Sequence, residues 1–331
     1  MRNLKTYICI GTQSHIITAA LNLIMVLLAA ASWARADDTI HVVTTIPDLA
    51  DMARAVGGEQ VTVKSLTKGT EDMHMIPMKP SYLLLLNKAD MLLEMGLDME
   101  HAWLPDLLYN CRNDRIQPGA PGFVNCSAHI EVVEAQKNPD RSEGEVHPEG
   151  NPHYNVDPSN GRLMAMTLCD GLCRAYPQHA ERFKANLHDY VDLLQKKMKV
   201  WDEMAKPLKG LKVVTYHRSW SYFVKHFGME VIGEIEPKPG IAPTAGHLAK
   251  LIRKIREEGA DLVIKETYYS DQYPELLKEK TGIPFVNLPN MSGGMEETAT
   301  YIQFIEYNLK TVLKALGMPV SKEEKECHDE G

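Results

Sequence analysis

The sequence predicts an α/β protein of two Rossmann-like lobes with parallel sheets, joined by a long rigid helix. Three observations predict it. In both halves of the 331-residue chain, short strand-like runs alternate with helix-spaced apolar segments. That alternation argues for parallel strands with crossover helices. Between the halves, Phe183, Leu187, Tyr190, Leu194, Met198 and Trp201 form one apolar helical stripe. Several histidines fall just past expected strand ends, where parallel α/β sheets bind their ligands.

The expected organisation is a signal peptide over 1–36, an N-terminal lobe over 37–177 and a linking helix over 178–207. A C-terminal lobe over 208–320 and a polar tail over 321–331 complete it. The start is basic, an apolar run spans Ile16 to Ala31, and Ala34-Arg35-Ala36 supplies a cleavage pattern before Asp37. A retained membrane anchor is the alternative, but the compact apolar run followed by a cleavage site fits export. Cleavage after Ala36 makes the mature chain an exported one. The net charge is −8, and removal of Arg2, Lys5 and Arg35 makes the chain more acidic. An acidic exported protein is a poor partner for nucleic acid or anionic lipid and a reasonable one for cations.

Thr39–Ile46 reads as the first strand, and PDLADMARAVGG as a helix stopped by a glycine pair. VTVKSL is a second strand, SYLLLLNKAD a helix, MLLEMG a strand, and Gln117–Ser127 a loop with an edge strand. Gln136–Glu145 is polar and charged, an exposed loop. Asn160–Tyr176 is helical. The striped helix then runs to Pro207, about 28 residues or about 40 Å, long enough to span two domains. KVVTYH, EVIGEI, DLVIKE and PFVNLP are the later strands. Thr244 opens one helix between them, and the last helix runs from Glu296 to about Leu316.

Cys111 and Cys126 flank a Pro/Gly-rich loop, and an oxidising compartment permits a disulfide there, contributing about 3 kcal/mol. Cys169 and Cys173 sit one turn apart on a helix, which suits two half-buried thiols better than a strained bridge.

The stretch EVHPEGNPHYNVDP carries His147 and His153 on a proline-stiffened loop. Two imidazoles are too few for zinc, which takes four ligands. His74 follows strand VTVKSL, His217 ends KVVTYH, and Glu266 ends DLVIKE. Facing lobes would close one site from these residues. Three imidazoles and a carboxylate suit Zn2+. Manganese (Mn2+) and iron (Fe2+) favour more oxygen ligands. Met73, Met75 and Met78 around His74 raise Cu+, though methionine is also ordinary core filler. His41, His101, His129, His179, His188, His226 and His247 are read as structural or solvated. Asp157 is read as a helix-start device, and Glu234 and Glu236 as possible oxygen donors or as wall.

NPHYNVDPSNG, EDMHMIPMKPSYLLLLNKAD, VVTYHRSWSYFVKHFG and IKETYYS together resemble the zinc/manganese periplasmic binding proteins of bacterial ABC importers. The resemblance covers nearly all of the mature chain. It implies a metal held in the cleft by His74, His153 and His217, with Glu266 near the site and the ion delivered to a membrane permease. Met73 stands where the family has proline. VNLPNMSGG lacks the aspartate with which many members complete the site, so Glu266, a water, Asn290 or His147 takes the fourth position. The shortened charged loop gives no added support for zinc scavenging. The reading is a monomeric, non-enzymatic receptor whose affinity falls as the histidines protonate near about pH 6. A zinc hydrolase and an adhesin-like protein with a structural metal are the alternatives. No HExxH or GxSxG motif supports the hydrolase.

Overall fold

The computed structural model describes residues 39–135, 147–238 and 240–320. The expected signal peptide, the segment from Gln136 to Glu145 and the polar tail with Cys327 lie outside these residues. Among the described residues no helix is long and apolar enough to cross a membrane.

The first sheet contains β1 (Ile40–Thr44), β2 (Val61–Ser65), β3 (Met91–Glu94) and β4 (Phe123–Asn125), in the order β2-β1-β3-β4. The second contains β5 (Lys212–Thr215), β6 (Glu230–Glu234), β7 (Leu262–Glu266) and β8 (Phe285–Leu288), in the order β6-β5-β7-β8. The two sheets therefore share one topology, although no residue-level repeat is visible between the halves. The pairs β1–β3 and β3–β4, and all three pairs of the second sheet, are parallel. Every residue of β7 is buried. That is how a central parallel strand covered on both faces should read.

Helices follow the strands. In the first lobe they are α1 (Pro47–Gly57), α2 (Pro80–Lys88), α3 (Leu104–Asn110) and α4 (Pro158–Ala175). Each opens with proline in its first turn, where the missing N–H is not needed. Helix α1 stops at Gly58, whose φ of 57° suits a residue without a Cβ. Helix α5 (Ala180–Met204) joins the halves and packs along α1 and α4. It buries Phe183, Tyr190, Leu194 and Trp201 from the apolar stripe, while Leu187 and Met198 are half-buried. Asn186 Nδ2 donates to Val56 O at 2.9 Å and pins the rod to the end of α1. The second lobe carries α6 (Ser221–His226), α7 (Ala245–Glu258), α8 (Gln272–Thr281) and α9 (Tyr301–Ala315). Thr244 caps α7 by accepting from His247 N.

Two expectations are corrected. The last helix starts at Tyr301, not Glu296. Thr300 and Gln303 form a capping box there, and Glu296–Thr298 is a separate 3-10 turn. Cys111 and Cys126 are both free and buried. The Cys111 thiol turns back to donate to Leu108 O at 3.3 Å, at the end of α3. Cys169 and Cys173 are free thiols with sulfurs 3.9 Å apart. Helix α3 escaped the sequence reading because it is only 7 residues long.

Interlobe contacts are polar and buried. Asp48, at the start of α1, accepts from Ser292 Oγ at 2.7 Å and Ser292 N at 3.2 Å. Asn155 Nδ2 donates to Asn290 O at 2.8 Å. Gly69 lies so close to the backbone of Ser292–Gly294 that a Cβ there would sit 2.1 Å from Ser292 O. Only glycine permits that approach.

Candidate metal centre

Three chain segments bring three imidazoles together. The loop after β2 carries His74, whose N–H donates to Asp72 Oδ1 at 3.0 Å. Trp103 Nε1 fixes the same loop by donating to Met73 O at 3.0 Å. His153 sits on the proline-rich loop before α4, where Asn151 Oδ1 accepts from its N–H at 2.9 Å. His217 lies two residues past β5. The coordinating atoms of His74, His153 and His217 all lie within 4.8 Å of one another, and all three residues are buried. Among the described residues this is the one group of three or more His, Cys, Asp or Glu side chains so arranged.

His74 Nε2 and His153 Nε2 face each other at 3.0 Å. Without an ion one of these nitrogens must carry a proton and donate it to the other. An ion between them takes both lone pairs and replaces that proton. His217 Nδ1–H donates to Glu236 Oε2 at 2.8 Å, with the histidine 3% and the glutamate 8% exposed. That bond fixes the tautomer and leaves Nε2 for coordination.

Glu266 ends β7 and is fully buried. Neither of its carboxylate oxygens makes a hydrogen bond of full geometry, and Ser219 gives only a weaker stabilising contact. The turn that follows is tied down by buried Lys265, whose Nζ donates to Glu266 O at 3.0 Å and Tyr269 O at 2.6 Å. Lys265 also pairs with Asp271 at 3.0 Å. A buried carboxylate with open acceptors is a group that needs a cation or a proton. Asn290 is buried as well. Its Nδ2 donates to Tyr268 Oη at 2.9 Å, and its Oδ1 lacks a partner. His147 stands beside the three, its ring centroid 5.1 Å from that of His74.

Protonation follows from burial and neighbours. Burial, reinforced by the neighbouring imidazoles, holds His74 and His153 well below the ordinary histidine range. Burial also pulls His217 down, but the Glu236 bond and the charges of Glu266, Glu236 and Asp72 outweigh it and leave His217 raised. Burial pushes Glu266 up to about 7, against the opposing pull of His217 and Ser219. Burial lowers His147 to about 4, with His101 and His217 adding to the effect. The single protonation range near pH 6 expected from the sequence is therefore split. His74 and His153 are neutral well below it, whereas His217 and the Glu266 carboxyl are both raised and hold protons more readily.

Asp157 caps α4, as expected, by accepting from Ser159 N at 2.7 Å, and it also pairs with His226 at 2.8 Å. His247 donates from its ring to Glu234 O at 2.9 Å. Sequence reasoning left Glu236 undecided between ligand and wall; the structure makes it the partner of His217. Its one sequence signal is its place just past a strand end, in the rigid EIEPKP segment.

The profile of the family described as "ZnuA: Zinc-uptake complex component A periplasmic" matches residues 42–315. The high-affinity zinc uptake system protein ZnuA of Yersinia pestis is 24% identical over 279 residues, covering 80% of this chain and 87% of that protein. A crystal structure of ZnuA superposes with a TM-score of 0.70 at 22% identity, covering 84% of this chain and 99% of its own. The manganese complex of the solute-binding protein FpvC from Pseudomonas aeruginosa gives a TM-score of 0.71 at 18% identity, with 84% and 98% covered. These structural likenesses establish the fold.

Proposed function

Because the chain belongs to the family of periplasmic zinc-uptake components, we propose that it captures Zn2+ in the cleft and delivers it to the permease of an ABC importer. The observation that carries the reading is the convergence of three buried imidazoles from segments of both lobes. His74, His153 and His217 hold the ion, and Glu266 or a water completes four-fold coordination. Asn290 and His147 are secondary candidates.

The donor set favours zinc. Three neutral nitrogens and at most one carboxylate fit a small tetrahedral ion, whereas Mn2+, the alternative, takes more oxygen. Cu+ and Fe2+ fit less well. Of the three methionines around His74, Met75 and Met78 are largely exposed and Met73 alone is buried, which leaves a single thioether for a soft site. The same geometry serves capture better than catalysis. The imidazoles and Glu266 are buried, and the Glu236 carboxylate is occupied by the His217 Nδ1–H. Zinc-loaded protein should turn over neither ester nor peptide substrates. The protein acts as a monomer, exported and cleaved after Ala36, with one lobe on each side of the ion.

Competitive zinc titration of His153→Ala and His217→Ala proteins tests the site. Each variant should lose more than the 10–100-fold that removing an outer partner of a metal ligand typically costs, on the order of two decades or beyond. Unchanged affinity in both overturns the assignment.

A further inference from the structure

Resting on that reading, we propose that His101 and His147 form an outer imidazole pair that takes the ion from the mouth of an acid-lined cavity and passes it to His74. The rings form a ladder. His101 and His147 are 6.0 Å apart by centroid, and His147 and His74 are 5.1 Å apart. The spacings inside the buried triad are 5.0, 5.6 and 5.3 Å. His74 therefore stands as close to His147 as to its two inner partners, and belongs to both groups.

The nitrogens are set for metal. His101 Nδ1 lies 2.7 Å from Asp98 O, which can only accept, so Nδ1 carries the proton and Nε2 presents a bare lone pair. Neither ring nitrogen of His147 makes a hydrogen bond of full geometry, and the backbone at Asp98 and Leu97 gives only weaker support to its ring. The turn carrying Asp98 is strained: Gly96, Leu97 and Asp98 have φ of 76°, 53° and 59°. Two consecutive non-glycine residues in the left-handed region persist only where surrounding bonds enforce them. Here the Glu100 carboxylate does so, accepting from Met95 N at 2.8 Å and Gly96 N at 3.2 Å. The strained turn brings the Asp98 carbonyl under the His101 ring.

The cavity beside His101 has a volume of about 580 Å³ and is lined by Glu94, Asp98, Glu100 and Glu149 among others. Glu100 is occupied by backbone donors and Glu94 accepts from Asn125 Nδ2 at 3.0 Å. Asp98 and exposed Glu149 remain to concentrate cations at the mouth. In the relay the ion passes from ring to ring along centroid spacings of 6.0 and 5.1 Å.

A relay lowers the barrier in both directions and leaves the equilibrium alone. The test is stopped-flow loading of Zn2+ into the metal-free full chain, followed by release to a fluorescent chelator. In His101→Ala, loading and release should slow by the same factor while Kd stays put. In the His101→Ala/His147→Ala double variant, loading should slow about tenfold. Loading at the wild-type rate in the double variant overturns the relay. So does a weaker Kd at an unchanged loading rate, which makes His147 a ligand of the buried ion. If His153→Ala binds as tightly as wild type, the receptor reading falls first; if His153→Ala weakens binding but the double variant loads at the wild-type rate, the relay alone falls.

Discussion

Replacing Glu236 with glutamine isolates the contribution of one carboxylate to the proposed ion site. The Glu236–His217 bond is 2.8 Å long and almost fully buried on both sides. With an ion bound, neutral His217 donates Nδ1–H to that carboxylate, a charge-assisted bond contributing about 1.5–3 kcal/mol. Glutamine keeps an oxygen acceptor but loses the charge, and neutral bonds are roughly half as strong. The expected loss is therefore about 1 kcal/mol or slightly more, close to a tenfold weaker Kd. The pH dependence sharpens the test. Without an ion, Glu236 and Glu266 hold the His217 pKa above its ordinary value, so in the wild type protons compete with metal from above the usual histidine range downward. In Glu236→Gln that competition starts at a lower pH. The variant should bind about tenfold more weakly at pH 8, and the two affinities should converge as pH falls. The assay is competitive zinc titration against a chelator from pH 5.5 to 8. Equal affinity at pH 8 with the same onset of loss on acidification would refute the role given to Glu236.

Two further outcomes concern stability. Burial raises the Asp48 carboxyl to about 7, against the pull of its Ser292 bonds. A folded pKa above the unfolded one gives stability that is fully present below about pH 4 and is lost as pH rises through about 7. The span is on the order of 4 kcal/mol. Urea denaturation of metal-free protein at pH 4.5 and 8 should show this slope in wild type and a smaller one in Asp48→Asn; an identical slope removes Asp48 as its source. Trp201 is fully buried on α5, and its indole N–H has no partner. Trp201→Ala should therefore cost about 3–5 kcal/mol, nearly all of it cavity and lost packing. The urea midpoint should move with little change in m-value, and a cost under about 1 kcal/mol would show that the rod is not held by that ring.

The sheets were legible because each strand is a short apolar run bounded by turn residues, and such runs admit few alternatives to buried parallel strands. His74 and His217 stood out because strand order puts candidate ligands past strand ends, and His153 because it sits in a proline-stiffened loop; neither signal needs knowledge of side-chain contacts. The partners of those histidines were not legible. Glu236 reaches His217 from the neighbouring strand's exit, and nothing in EIEPKP distinguishes it from Glu234 two residues earlier. His101, read as structural or solvated, is exposed, and its place beside His147 depends on a turn with unusual backbone angles, which Leu97 and Asp98 do not advertise. The Cys111–Cys126 expectation rested on loop length, whereas side-chain direction at a helix end decides whether sulfurs meet. Asp48 and Ser292 are separated by 244 residues, a pairing that only the packed lobes create.

The loop bearing His153 is fastened to both lobes in turn. Asn151 Nδ2 donates to Arg218 O at 2.8 Å and Asn151 O accepts from Tyr222 Oη at 2.9 Å. Tyr154 Oη donates to Met95 O at 2.5 Å, and Asn155 Nδ2 donates to Asn290 O at 2.8 Å. Within five residues the chain is stitched to the second lobe, the first and the second again. Spreading the lobes like a book would break several of these buried bonds together, at about 0.5–1.5 kcal/mol net for each. His74 hangs from a different seam, fixed to its own lobe by Trp103. Shifting the His74 loop breaks none of these stitches, so one wall of the imidazole cluster can move while the lobes stay joined.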